Sequence, residues 1–315
     1  MGLPHVREFF EVNDIFLKEM LYPLSLLEDP LLKEQLHHYI SFKSDNGLPF
    51  AQLVVSHYQT FGGRSELIYR VAAGIELLIL SFDILDDVED KDQSPAPWNK
   101  EKEDLTINVA TALFKLSHVT LDNTLSQLNN GHKAKTYFNH LSLTAIDGQH
   151  QDLQNLIYNE QDYFNVTMKK SGALVALACT IGAILADDNN TDSISLYGQL
   201  LGVSSQIQND IEDILRLDKK NDLLYKKKTL PILFLLGDKR EEFACIQEYY
   251  QGLRSFDYME PLQPQLVESI KTSGAIEYAN VHLLLKQEQA IKLIQSMNLE
   301  HEIKGKLVEQ IRPNH

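Results

Sequence analysis

Cysteine and tryptophan are scarce in this chain of 315 residues, which contains two cysteines and one tryptophan. Cys179 and Cys245 are too few for a disulfide framework and do not have the spacing of zinc ligands. Both lie in apolar stretches with helical periodicity, where buried thiols are expected. The sequence therefore excludes the disulfide-rich secreted class, and a reducing cytoplasm is the expected setting.

Positive charge is also scarce. The 29 Lys and Arg residues face 44 Asp and Glu residues, which gives a net charge of −15 with neutral His. The longest basic run is Lys226 to Lys228. Proteins that bind nucleic acid neutralise phosphates with clustered cations, so no nucleic-acid partner is expected.

No hydrophobic run is long enough to predict a membrane span. The apolar stretch from 172 to 186 has fifteen residues, whereas a transmembrane helix needs about 20. Near the N-terminus, Glu8, Glu11 and Asp14 come before the apolar core of a signal peptide could form. We therefore expect a buried core helix at 172–186 and no transmembrane segment.

Apolar residues recur with helical spacing along the whole chain, and no run shows the alternation of a strand. Turn-forming residues predict breaks near 93–97, 129–131 and 187–190, and a charged link covers 217–228. There is no repeat and no Gly/Ser linker, so one domain over 1–315 is expected. Helices are predicted near 7–20, 30–43, 47–60, 65–90, 103–127, 133–152, 160–187, 192–217, 229–236, 240–253, 263–271, 274–297 and 300–311.

The first feature that indicates chemistry is an acidic cluster at the end of a strongly apolar run. Asp86, Asp87 and Asp90 close the sequence that begins at Glu76. In a helix, Asp86 and Asp90 are i,i+4 neighbours with Cβ atoms roughly 5–6 Å apart, so a cation between them would relieve their repulsion. Oxygen ligands of this kind suit Mg²⁺, which shares its remaining positions with water and substrate phosphates. An acidic helix end with no metal is the alternative for this motif alone.

A second acidic cluster follows about 120 residues later. Asn209 and Asp213 are again i,i+4 at the end of an apolar helical pattern, with Asp210 between them and Gln206 one turn earlier. Two such clusters could face each other across a helical bundle and hold a diphosphate through shared metal ions. The two clusters together indicate a metal–diphosphate site more specifically than either cluster does alone.

Further motifs occur in the same order as in trans-isoprenyl diphosphate synthases, which the chain resembles over roughly residues 50–240. The matching segments and residues are His57, Gly62-Gly63-Arg64, the two acidic clusters, Gly148-Gln149 with Asp152, Lys170-Ser171-Gly172, Asp222-Leu223, and Lys227 with Thr229 and Pro231. This resemblance implies an all-α, single-domain isoprenoid-synthase helical bundle with a central active-site cavity. By analogy it also implies a homodimer.

The resemblance also implies roles for individual residues. Two or three Mg²⁺ ions would be held by the acidic motifs, and Lys170, Lys227 and Gln206 would act on an allylic diphosphate as its leaving group departs. Gln149 and Asp152 would orient Lys170 or metal-bound water, and Phe82, one turn before Asp86, would favour a short prenyl group of ten or fifteen carbons. His57 and Arg64 match the site for a second diphosphate.

That second site differs from the family pattern. The family sequence Gly-Gly-Lys-Arg-x-Arg is here Gly62-Gly-Arg64-Ser-Glu-Leu67, so one cation of three remains. The Arg pair that follows the first acidic motif is replaced by 91–98, which ends in the only tryptophan, Trp98, expected to pack against its own domain. Each lost charge-assisted bond to a diphosphate would have contributed roughly 1.5–3 kcal/mol. Isopentenyl diphosphate is therefore not the expected acceptor.

The pattern is similar to a branch of the family that attaches a prenyl group to the tryptophan of a bacterial competence-pheromone precursor peptide. The segments that carry this likeness are 60–63, 73–81, 86–90 and 148–152. The resemblance implies a prenyltransferase that takes a geranyl or farnesyl diphosphate and such a peptide, with a role in quorum sensing. A short-chain isoprenyl diphosphate synthase and a non-catalytic helical subunit remain as alternatives, and a terpene cyclase fits less well because Asp213 and Leu217 depart from its motif.

Overall fold

The computed structural model describes residues 4–91, 95–216 and 222–311, and every regular element in these ranges is helical. Short 3₁₀ turns at Tyr22–Leu26, Pro97–Lys100, Glu241–Phe243 and Glu260–Leu262 join longer helices, and Met168–Gly172 is π-helical. The α-helices are α1 (Pro4–Leu21), α2 (Pro30–Asn46), α3 (Pro49–Thr60), α4 (Leu67–Glu89), α5 (Glu103–Leu125), α6 (Gly131–Leu153), α7 (Glu160–Thr167), α8 (Ala173–Leu185), α9 (Thr191–Ile214), α10 (Leu230–Gly237), α11 (Ala244–Tyr250), α12 (Phe256–Met259), α13 (Gln263–Lys271), α14 (Ala275–Ser296) and α15 (His301–Ile311).

The prediction of an all-α fold is confirmed, and most helix bounds agree with the periodicity to within a few residues. One difference is that the helix predicted at 160–187 contains the π-helical segment between α7 and α8. Parts of two predicted breaks, residues 93–94 and 217–221, lie outside the described residues.

The chain divides into two compact units. The first contains 1–141, 177–195 and 298–310, and the second contains 142–176, 196–297 and 311–315. The expectation of one domain over the whole chain remains a prediction.

Helix α4 lies at the centre of the first unit, where it packs along α5 and against α1 and α3. Its residues 71–81 are all buried, because the helix is apolar on every side and has neighbours on every side. Its close packing on α5 includes two polar contacts: Ser117 donates to the Gly74 carbonyl at 2.6 Å, and Ser81 donates to the Ala110 carbonyl at 2.8 Å. A rigid, fully packed helix therefore carries the first acidic motif at its C-terminal end.

One acid inside α4 is itself fully buried. Glu76 Oε2 accepts a hydrogen bond from the Ala51 backbone N–H, in the first turn of α3, at 2.7 Å. Lys43 Nζ of α2 lies 3.7 Å from Glu76 Oε1. Amides in the first turn of a helix lack partners within the helix and attract negative charge, so this carboxylate is suited to the start of α3. Glu76 thus connects three helices of the first unit.

The second unit has two apolar clusters. One joins α7 and the middle of α9 to α10 and α14, and it contains Tyr163, Val203, Ile207, Leu230 and Ala279. The other is built around α10, α11 and α13 and contains Ile232, Phe243, Ile246, Leu266 and Ile270. These clusters hold α9, and with it the second acidic motif, by its apolar face.

One helical stretch of the described residues, Glu160–Leu185, is long and apolar enough to cross a membrane by length and composition. Within the fold, 67% of its most apolar window is buried. This agrees with the buried core helix expected at 172–186, since core helices of soluble proteins have the same composition.

The buried Glu76 makes the stability of the fold depend on pH. Burial raises the pKa of Glu76 from 4.5 to about 7, so the folded state binds this proton more tightly than the unfolded state. The resulting stabilisation is fully present below about pH 4.5 and is lost as the pH rises through 7, and the difference is on the order of 3 kcal/mol. We expect Glu76→Gln to remove this loss, so that the free energy of unfolding by urea changes less between pH 5 and 8 than in the wild type. An identical pH dependence in both proteins would contradict this account.

Candidate active site

The first acidic motif occupies the last turns of α4. The Asp90 backbone N–H donates to the Asp86 carbonyl at 2.9 Å, so the helical spacing between these residues is maintained. The side chains of Asp86 and Asp90 are half-buried. Two carboxylates on one helical row, partly removed from water, attract a cation more strongly than exposed ones do. Whether they bind a metal remains a prediction.

Asp87, the third predicted ligand of this motif, contacts the segment that follows. Trp98 Nε1 donates to Asp87 Oδ2 at 2.7 Å, and Asn99 Nδ2 donates to the same oxygen at 3.3 Å. Trp98 packs against its own unit, as expected, with ring centroids 5.5 Å from those of Tyr39 and Phe42. Trp98 and Asn99 thus both donate to Asp87, and its role as an auxiliary ligand remains a prediction.

Asp83 and Lys43 had no predicted role, yet they form an ion pair near the first acidic motif. Lys43 Nζ donates to Asp83 Oδ2 at 2.7 Å, and its side chain is 16% exposed. Burial alone would lower the pKa of Lys43, but Asp83 and Glu76 outweigh burial and raise it, so the ammonium stays charged. The sequence contained a signal for this pair, since Asp83 lies four residues before Asp87 in the same acidic run.

Phe82 is half-buried on α4 and packs against an aromatic row. The Phe82 and Phe114 ring centroids are 6.2 Å apart, followed by 4.4 Å from Phe114 to His118 and 5.1 Å from His118 to Phe138. His118 Nδ1 lies 2.8 Å from the Phe114 carbonyl. Phe82 thus packs against a row of aromatic rings that restricts its movement. A bulky side chain that limits the length of a prenyl group would require such support.

The two residues predicted to bind a second diphosphate have different environments. His57 is fully buried, with Nδ1 2.7 Å from the Leu53 carbonyl, and burial lowers its pKa to about 4. Full burial favours the neutral imidazole, and the role of His57 toward a second diphosphate remains a prediction. Arg64 is exposed, in the turn after α3.

In the second unit, the π-helical segment Met168–Gly172 carries Lys170 and lies against α6 and α9. A Cβ on Gly148 of α6 would come within 2.3 Å of the Lys170 backbone nitrogen, and one on Gly202 of α9 within 2.6 Å of the Gly172 Cα. Only glycine permits backbones to approach this closely. Single π-helical turns occur often at functional sites, because they redirect side chains.

Lys170 forms an ion pair with another predicted site residue. Lys170 Nζ donates to Asp152 Oδ2 at 2.9 Å, with side chains 23% and 37% exposed. The neighbouring Lys169 forms a separate pair with Asp147 at 2.9 Å. Asp152 thus contacts Lys170, and its role in orienting Lys170 or metal-bound water remains a prediction. Gln149 is half-buried on the same helix, α6.

Gln206 is part of a chain of hydrogen bonds from the π-helical segment to the second acidic motif. Ser171 donates to Gln206 Oε1 at 2.8 Å, and Gln206 Nε2 donates to Asp210 Oδ1 at 2.9 Å. The Tyr163 hydroxyl then donates to Asp210 Oδ2 at 2.5 Å. Ser171 and Tyr163 had no predicted role, and no sequence signal marked Tyr163, which lies 47 residues from its partner.

Asp210 therefore has a different environment from the one expected of a metal ligand. It is only 3% exposed, both of its oxygens accept hydrogen bonds, and burial raises its pKa to about 6. These contacts fit a residue that fixes Gln206 and α9, and its assignment as a ligand remains a prediction.

The remaining predicted residues of the second unit are more accessible. Asn209 is exposed, and Asp213 is half-buried, 3.5 Å from Arg216. Lys227 is half-buried, with Nζ 3.8 Å from Asp222. These three side chains are thus more exposed than Asp210, and their roles toward a metal or a diphosphate remain predictions.

The donor chemistry of both motifs fits magnesium. Each offers only carboxylate or amide oxygens, the ligands that Mg²⁺ takes in proteins. In the described part of the chain, no three His, Cys, Asp or Glu side chains form a ready-made metal cluster. Mg²⁺ usually binds one or two carboxylates and completes its shell with water and substrate phosphates, so preformed clusters are not required.

The close approach at Gly148 can be tested by substitution. We expect Gly148→Ala to lower the free energy of unfolding by roughly 1–3 kcal/mol, because the added methyl group overlaps backbone atoms that cannot move aside easily. Gly305→Ala is the matched control, since Gly305 is also helical and no atom lies within 4 Å of the added Cβ. The control should gain up to about 1 kcal/mol from helix propensity. Equal urea midpoints for the two variants would show that the predicted close approach is wrong.

Known proteins similar to this chain agree with its motifs and fold. Residues 30–261 match the polyprenyl synthetase family. The tryptophan prenyltransferase ComQ of Bacillus spizizenii is 30% identical over 269 residues, 85% of this chain and 94% of that protein. ComQ of Bacillus subtilis subsp. natto strain BEST195 is 32% identical over 290 residues, 91% of this chain and 89% of that protein.

The fold is also shared with solved structures. A geranylgeranyl pyrophosphate synthase superposes with a TM-score of 0.82 at 17% identity, covering 99% of this chain and 98% of that chain. The all-α fold of the isoprenyl synthases is therefore confirmed. The chain belongs to the polyprenyl synthetase family and is a prenyltransferase, an enzyme that transfers alkyl groups other than methyl.

Proposed function

We propose that this enzyme transfers a ten- or fifteen-carbon prenyl group from geranyl or farnesyl diphosphate to a tryptophan of a competence-pheromone precursor peptide. The relatives that are 30–32% identical over most of the chain are tryptophan prenyltransferases. The observation that carries the proposal is in the sequence matched to the second diphosphate site, where Arg64 alone remains of three cations and His57 is fully buried. A diphosphate acceptor would lack most of its counter-charge there.

The proposed cofactor is Mg²⁺, in two or three ions. The proposed protein ligands are Asp86 and Asp90 in the first motif and Asn209 and Asp213 in the second. The donor diphosphate would supply further oxygen ligands. When bound, such ions neutralise the oxygens of the departing diphosphate. The support is the oxygen-only character of both motifs and their helical spacing.

The side chains of the chain itself would then act on the leaving group. Lys170, held by Asp152, and Lys227, near Asp222, would donate to diphosphate oxygens as negative charge develops on them. Preorganised donors of this kind lower the barrier because they need not reorient during the reaction. Gln206, fixed by Ser171 and Asp210, would face the reacting carbons with its amide orientation already set.

The proposed reaction breaks the allylic C–O bond, and the electron pair leaves with the diphosphate. A carbon–carbon bond forms between the allylic carbon and indole C3 of the acceptor tryptophan. The indole then loses one proton, for which the released pyrophosphate is an available base. No covalent bond to the enzyme is required.

The proposed setting is the cytoplasm, where this reaction would contribute to pheromone maturation and quorum sensing. Both cysteines are free thiols, Cys179 buried and Cys245 half-buried, which suits a reducing compartment. A homodimer is proposed by analogy with the family alone.

The test is a product assay with Mg²⁺ and farnesyl or geranyl diphosphate, run with labelled isopentenyl diphosphate and with or without a tryptophan-containing precursor peptide. We expect no longer prenyl diphosphate, and a peptide mass gain of one prenyl unit. Label in a longer prenyl diphosphate without peptide would instead identify an elongating synthase. No product in either arm would favour a non-catalytic subunit.

Substitutions in the two acidic motifs test the proposed metal site in the same assay. Asp86→Ala and Asp213→Ala should each reduce peptide prenylation at least about 100-fold, since a bound metal contributes several kcal/mol at the transition state. Asp122→Asn is the control, because Asp122 is an exposed helical acid that pairs with Lys135. Full yield in both alanine variants would remove the two-motif metal site from the proposal.

Phe82 gives a separate prediction about prenyl length. Phe82→Ala should open space in front of Phe114. The yield with a twenty-carbon donor, divided by the yield with a ten-carbon donor, should then rise about 10-fold. This corresponds to about 1–2 kcal/mol of steric overlap between the longer chain and the Phe82 ring that the substitution removes. His118→Ala, further along the aromatic row, should change this ratio less. An unchanged ratio in Phe82→Ala would show that Phe82 does not limit chain length.

A further inference from the structure

The end of α4 carries two acidic rows. Asp83 and Asp87 are four residues apart on one row, and Asp86 and Asp90 are four residues apart on the next. Because an α-helix turns 100° per residue, the two rows are neighbours on the helix surface. The structure shows what holds the first row in place.

The two members of the first row are held by different kinds of donor. Asp83 accepts from the ammonium of Lys43 at 2.7 Å, so its charge is cancelled by a cation. Asp87 accepts from the indole N–H of Trp98 at 2.7 Å and from Asn99 at 3.3 Å, and both of these donors are neutral. A neutral donor fixes the direction of a carboxylate without forming an ion pair with it.

The indole of Trp98 is itself held firmly. It is 6% exposed, and the rings of Tyr39 and Phe42 on α2 contact it edge-on. The Trp98 carbonyl accepts from the Thr106 hydroxyl at 3.2 Å, which fixes the backbone. The direction of the N–H is therefore set by packing before any ligand binds.

We propose that Trp98 is a positioning residue for the first acidic motif, and that it acts on metal and diphosphate binding through Asp87. This inference deepens the proposed function and rests on it. A carboxylate has two oxygens with about four acceptor sites, so bonds at Oδ2 do not by themselves prevent Oδ1 from serving a cation. Partners of this kind fix the rotamer of a ligating side chain, and their loss commonly reduces metal affinity 10- to 100-fold.

The proposal also gives a role to the segment that departs from the family pattern. Residues 91–98 replace the arginine pair of the elongating synthases and end in Trp98. At its end, this segment supplies the indole N–H of Trp98 to Asp87.

The experiment measures retention of ³²P-labelled inorganic pyrophosphate on the full-length protein at increasing free Mg²⁺. Trp98→Phe keeps an aromatic ring against Tyr39 and Phe42 but removes the N–H. We expect the Mg²⁺ concentration for half-maximal retention to rise about 10-fold. Trp98→His keeps both a ring and an N–H donor and should recover part of this loss, which a purely structural role of the indole would not produce.

A double-mutant cycle tests whether Trp98 acts through Asp87. Asp87→Ala and the double variant Trp98→Phe/Asp87→Ala are measured in the same assay, with circular dichroism to confirm folding. If the indole acts through the carboxylate, the double variant should match Asp87→Ala, because the partner of Trp98 is already gone. If Trp98→Phe does not fold, Asn99→Ala is compared with the wild type instead. The Mg²⁺ concentration for half-maximal retention should then also rise, but by a smaller factor.

The outcomes separate this inference from the proposed function. A wild-type Mg²⁺ requirement in Trp98→Phe, or additive effects in the double variant, would overturn the positioning role. Wild-type protein that retains pyrophosphate but prenylates no peptide would overturn the proposed acceptor and leave the inference standing. Wild-type protein that retains no pyrophosphate at any Mg²⁺ concentration would overturn both.

Discussion

The burial of Glu76 is the constraint on which the first unit depends. Burial penalises the charged form of this carboxyl group, and the Ala51 amide at the start of α3 and the ammonium of Lys43 on α2 offset only part of that penalty. Since Lys43 also bonds to Asp83, the same cation reaches from the core to the acidic end of α4. The apolar packing of α4 and the position of its acidic motif are therefore linked through one buried charge network.

The second unit uses close backbone contact where the first uses buried charge. Gly148 and Gly202 allow α6 and α9 to approach the π-helical segment, which presents Lys170 toward Asp152 and Ser171 toward Gln206. A larger residue at either glycine would separate these partners. The hydrogen bonds that orient the predicted catalytic side chains thus depend on the absence of two side chains.

Much of the fold and of the candidate site could be predicted from the sequence. The helices are predicted by the spacing of apolar residues within each segment. The two acidic motifs are predicted by their i,i+4 spacing, which also depends only on neighbouring residues. The environment of His57 could not be predicted in the same way. A histidine in the matching position indicates a ligand, but its full burial, which lowers its pKa, results from packing by residues distant in sequence.

The sequence by itself determined the all-helical class, the family and the presence of carboxylate and amide side chains at two helix ends, because composition, period and spacing are properties of contiguous residues. Only the tertiary structure decided which partners the acids at the end of α4 have. Asp83 and Asp87 lie in the same acidic run as Asp86 and Asp90, yet their partners Lys43 and Trp98 come from α2 and from the turn after α4. Those contacts exist only after the helices pack, since they join residues 40 and 11 positions apart.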